Sequence, residues 1–75
     1  MRISITEYKT NKFGEIDNTV SAKITLEDLD VNNFNELLYF IRLINAKHHV
    51  HVNYENKTKY ISVVGNDFRK YIKII

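Results

Sequence analysis

The spacing of apolar residues changes twice along this chain, and that limits the folds open to it. In residues 2–9 and 18–26 apolar side chains recur at every second position. From Phe34 to Ile44 they recur at every third and fourth, and from 48 to 64 at every second again. A period of two is a strand with one apolar face, and a period near 3.6 is a helix with one apolar stripe. The order is therefore strands, helix, strands.

The first strand spans Arg2–Lys9, with Ile3 and Ile5 on one face and Ser4, Thr6 and Tyr8 on the other. Asn11-Lys12-Phe13-Gly14 supplies turn chemistry, with Gly14 free to take a positive φ. The second strand spans Asn18–Leu26, where Val20, Ala22, Ile24 and Leu26 oppose Thr19, Ser21, Lys23 and Thr25. That pattern suits an antiparallel sheet covered on one side, with the four apolar residues facing the cover.

Asn33 followed by Glu36 has the spacing of a capping box and marks a helix start. Phe34, Leu37, Leu38, Ile41 and Ile44 form the buried stripe, and the helix is expected to reach Lys47. Alternation resumes at His48–Tyr54, Glu55-Asn56-Lys57 makes a turn, and Thr58–Val64 returns. Pairing Val50 with Val63 and Val52 with Ile61 puts four β-branched residues on one face. After Gly65-Asn66-Asp67, the positions Phe68, Tyr71, Ile72 and Ile75 predict a short closing helix; a terminal strand competes with it. The expected fold is α+β, ββαββα. It is a two-layer sandwich with a four-stranded antiparallel sheet, one long helix on one face and a short C-terminal helix.

At 75 residues there is room for one domain, 1–75, with a modest core. Cysteine is absent, which excludes disulfides and thiolate metal sites. The longest apolar run, Leu37–Ile41, is far shorter than the roughly 20 residues of a membrane span, so no membrane partner is expected. No apolar leader of about 7–15 residues follows Arg2, and a cytoplasmic protein is the expectation. Asn, Ile, Lys and Tyr are abundant, and all have A/T-rich codons. That bias points to a low-G+C genome and to the small proteins of phages and other mobile elements.

Three surfaces are candidates for function. On the helix, Tyr39 and Leu43 lie one turn apart, away from the buried stripe. They suit an aromatic-centred protein contact with a larger host protein, or a homodimer in which they meet their symmetry mates. A local contact within the helix is the alternative. Before the helix, Glu27, Asp28 and Asp30 form an acidic cluster that suits either a basic groove on a partner or the positive helix N-terminus. Across the sheet's polar face, Tyr8, Lys23, His49, His51 and Tyr60 could meet nucleic acid, with Lys57, Lys59, Arg69, Lys70 and Lys73 for phosphate. A plain solvated face carries the same residue types.

Two histidines on one side of a strand, His49 and His51, do not make the three or four ligands of a zinc site, so no metal is expected. No metalloprotease motif, nucleophile elbow or phosphate-binding glycine loop is present, and no cofactor or catalytic residue is expected. The expected function is non-enzymatic protein binding, as an accessory protein or inhibitor that occludes a site on a host protein such as a defence nuclease. A nucleic-acid-binding module is the runner-up.

Overall fold

The computed structural model describes residues 1–75 as a five-stranded, wholly antiparallel sheet with one helix on one face. The elements are β1 (Arg2–Lys9), β2 (Lys23–Asp28), α1 (Phe34–Ile44), β3 (His51–Glu55), β4 (Tyr60–Val64) and β5 (Phe68–Ile74). Across the sheet they run β2-β1-β5-β4-β3. The helix thus leaves one edge strand and returns to the other, lying across the sheet. The protein is mostly β, with one short helix. This overturns the expected four-stranded sheet with a long helix and a C-terminal helix.

The largest correction is the last segment. Phe68–Ile74 is not a helix; it is a central strand, paired with β1 on one side and β4 on the other. Its residues satisfy both periods, but only the strand closes the sheet. Ile72 sits opposite both Ile5 and Ile61, joining two hairpins that would each end in an open edge. Two flanking ladders outweigh the local packing one helical turn could gain. Gly65 makes the turn into this strand, its N–H donating to the Phe68 carbonyl at 3.0 Å. A Cβ built on Gly65 would lie 2.3 Å from the Phe68 ring. Gly65→Ala is therefore expected to destabilise. Overpacking costs about 1–3 kcal/mol, while the loss of unfolded-state freedom returns only about 0.4–1 kcal/mol. Thermal unfolding checks this, and an unchanged Tm would contradict it.

The second strand is also displaced. It covers Lys23–Asp28, not Asn18–Leu26. Residues 10–22 are used by a local loop. Thr10 bridges Ile16, Asn11 Oδ1 accepts the N–H groups of Phe13 and Glu15, and Asp17 Oδ1 accepts the N–H and hydroxyl of Thr19. Gly14 takes φ 79° in that loop, as its turn chemistry predicts. Ile3 faces Glu27 and Ile5 faces Thr25, so odd-numbered residues of both strands share the helix side. Ile24 and Leu26 consequently point to the open side. The register is fixed by the segment beyond: Leu29 and Val31, also odd, pack against the core. A slip of one residue would turn every side chain of the strand over.

Asn33 caps the helix as its sequence predicts, but Glu36 accepts the return bond from Asn32, one residue before the cap of a regular capping box. Asn33 Oδ1 accepts the Glu36 N–H at 2.9 Å, and Glu36 Oε2 accepts the Asn32 N–H at 2.9 Å. It ends at Ile44 instead of Lys47 because Asn45 caps it, donating its side-chain amide to the Ile41 carbonyl at 2.8 Å. β3 and β4 pair two residues from the expected register, with Val52 opposite Val63 and Tyr54 opposite Ile61. The same faces are kept. The core is Ile3, Ile61, Val63 and Ile72 from the sheet against Phe34, Leu37, Leu38 and Ile41 from α1. No helix is long and apolar enough to cross a membrane.

Candidate functional site

Burying Phe34, Leu37, Leu38 and Ile41 uses only one side of α1. At about 100° per residue, Tyr39, Leu43, Phe40 and Ile44 span roughly 140° of the remainder. Tyr39 is 70% exposed, Leu43 59% and Ile44 53%. A helix that is apolar over most of its circumference is normally covered on most of it. Here the outer stripe is open. With Val31, Asn35 and Glu36, the residues Tyr39, Phe40 and Leu43 line a shallow groove of about 420 Å³. A narrower crevice adjoins it between α1 and β1–β2, where Phe40 and Ile44 meet Ile5 and Leu29 with Glu27, Asn45 and Lys70 among the lining.

Tyr39 and Leu43 share the groove, Glu27 lines the adjoining crevice, and the acidic cluster is separated. Glu27 lies on the helix side of β2. Asp30 is exposed in the loop that leads to Val31 and the groove. Asp28 points to the opposite face and is engaged within the chain. Arg2 donates to both its oxygens, at 3.1 and 3.2 Å. Those hydrogen bonds, and secondarily the guanidinium charge, hold the Asp28 carboxyl below the usual carboxylate range. A depressed native value means that the pair supports folding above the ordinary carboxylate pKa of about 3.9 and loses that support as pH falls through the native value. The side-chain carboxyl signal of Asp28 is expected to titrate at higher pH in Arg2→Ala than in the parent. Identical NMR titration midpoints would contradict the pairing.

The open sheet face holds a second arrangement. Tyr8, Tyr71 and Tyr60 form a row from β1 through β5 to β4, with centroid separations of 5.9 and 6.0 Å and rings edge to face. Ser4, Thr6 and Lys73 join Tyr60 and Tyr71 around a depression of about 230 Å³. His51 lies on this face, opposite Val64. Arg69 sits opposite Tyr8, and its guanidinium donates to the Gly14 carbonyl at 3.1 Å.

The other basic candidates are elsewhere. Lys23 and Lys70 are on the helix side of the sheet, where Lys70 Nζ lies 3.7 Å from a Glu7 oxygen. Lys57 and Lys59 are in the β3–β4 turn. Lys59 adopts φ 54°, bonds Asn56 and places its ammonium 5.2 Å from the Phe34 ring centroid. His49 is outside the strands and exposed. No group of three or more His, Asp or Glu is placed to hold a metal ion. Lys73, a basic-tail candidate, lies on the open face. Tyr71 is not among the sequence candidates, because the segment holding it also fits a helical stripe. Its alternation of Phe68, Ile72 and Ile74 against Tyr71 was the available signal.

Comparison with protein-family models, with curated proteins and with solved structures finds no match to this chain. What supports a function is the chemistry of these two faces.

Proposed function

We propose that the protein is a non-enzymatic protein-binding domain that docks through the outer face of α1. The observation that carries this is the exposed stripe of Tyr39, Leu43 and Ile44 beside the groove floored by Val31 and Phe40. Amphipathic aromatic anchors in such a setting dominate interface energetics. Its rim is acidic. Glu36 lines the groove, Asp30 precedes Val31 and Glu27 lies in the adjoining crevice. The matching partner therefore presents an apolar side chain flanked by lysine or arginine. A larger cytoplasmic host protein with a basic functional groove has that chemistry, and covering such a groove would inhibit it. The sequence bias toward A/T-rich codons fits an accessory protein of a mobile element acting in this way.

A second proposal rests on the open face. The row of Tyr8, Tyr71 and Tyr60, with Lys73 and Arg69 beside it, offers stacking surface and positive charge to single-stranded nucleic acid. The rings meet edge to face, so their own packing occupies part of the surface that bases would use. That favours the helix face.

Affinity capture from lysate of a low-G+C bacterium, with and without nuclease, compares the two. The parent chain is set against Tyr39→Ala/Leu43→Ala and Tyr71→Ala. Protein docking predicts one nuclease-resistant partner, lost with the helix double variant and kept with Tyr71→Ala. Retention that requires nucleic acid and is lost with Tyr71→Ala would overturn it.

A further inference from the structure

β2 is an edge strand, and its outer backbone has no partner in the chain. Met1 and Leu29 exchange both backbone hydrogen bonds, each at 2.8 Å. Their antiparallel pairing continues through Ile3–Glu27 and Ile5–Thr25. Because hydrogen-bonded pairs alternate along an antiparallel ladder, Thr25 and Glu27 direct their N–H and C=O groups inward to β1. Ile24 and Leu26 therefore direct theirs outward.

The side chains of those two residues add a second, independent feature. Ile24 is 69% and Leu26 59% exposed, both on the open face. Exposed apolar residues on an edge strand with free backbone groups template strand addition. Edges are commonly protected by charge, and β2 has Lys23 near one end and Glu27 near the other. These charges are of opposite sign and equidistant from Thr25.

We propose that two copies of this chain associate through β2, antiparallel and two-fold symmetric about Thr25. In that register Ile24 of each copy lies opposite Leu26 of the other, and each such pair exchanges two N–H···O bonds. The two Ile–Leu contacts sit on the open face. On the helix side Lys23 of each copy lies opposite Glu27 of the other, giving two ion pairs that flank Thr25. A parallel arrangement would instead set Lys23 against Lys23 and Glu27 against Glu27. The opposite edge, β3, has no lysine or arginine to repeat the pattern. Pairing at β2 joins two five-stranded sheets into one and leaves both helices on the same side. The contact is isologous and closes on itself, so growth stops at the dimer.

Sedimentation equilibrium over a rising concentration series of the full chain tests this, with circular dichroism to establish that each variant is folded. The parent is expected to shift from 8.9 kDa toward twice that mass. Lys23→Glu and Glu27→Lys should each weaken the dimer about tenfold or more, because like charges then face each other across the axis. The charge-exchanged double variant Lys23→Glu/Glu27→Lys should restore it. A parent that stays monomeric throughout the series would overturn the proposal. So would single variants that dimerise as the parent does, or a double variant that fails to recover.

Discussion

Leu37→Ala is expected to leave the domain largely unfolded in mild denaturant, while Tyr39→Ala two residues away changes stability by no more than about 0.5 kcal/mol. Leu37 is fully buried against the sheet, and truncating such a leucine costs about 2–5 kcal/mol. At roughly 0.05–0.15 kcal/mol per residue, a chain of 75 residues has about 4–11 kcal/mol in total. One core methyl cluster is thus a large fraction of the whole. Tyr39 loses no core contact when truncated, and alanine is the better helix former by a few tenths of a kcal/mol. Urea titration of the two variants checks the contrast. Equal losses would mean that the outer stripe is part of the core and not a surface left for a partner.

Ile72→Asp is expected to abolish folding, whereas Leu26→Asp leaves the monomer fold standing. Both positions are apolar members of an alternating strand, and nothing in their local sequence separates them. The structure does. Ile72 is buried at the centre of the sheet beneath α1, where a carboxylate has no partner and a large desolvation cost. Leu26 is exposed on the open face beside Ser4, where a carboxylate stays hydrated. Far-ultraviolet circular dichroism and amide dispersion in NMR distinguish the outcomes. Unfolding by Leu26→Asp would return the apolar side of β2 to the core. Folded Leu26→Asp should also fail to dimerise, since it alters the contact opposite Ile24.

These cases show where the sequence was informative. The first strand, the turn at Gly14 and the Asn33 cap were legible because each is decided by neighbours within a few residues. The faces of Ile61 and Val63 were legible because strong alternation has only two phases. The closing strand was not. Phe68, Tyr71, Ile72 and Ile75 fit a helical stripe, and only the vacancy between β1 and β4, a long-range fact, selects the strand. The direction of β2 was hidden for the same reason. Its own alternation says that Ile24 and Leu26 share a face, but Leu29 and Val31 decide which face is inward. For the candidate sites, Tyr39 and Leu43 could be seen as a surplus on the helix. The tyrosine row could not be assembled without β5 in place.

An NMR titration of the isotopically labelled chain with its purified, captured partner reads directly which face of the molecule docks. Docking through α1 predicts that shifts and broadening concentrate on Val31, Tyr39, Phe40, Leu43 and Ile44, with the tyrosine row unchanged. Perturbation centred on Tyr8, Tyr60 and Tyr71, with the helix signals unmoved, would contradict it and assign function to the open face of the sheet.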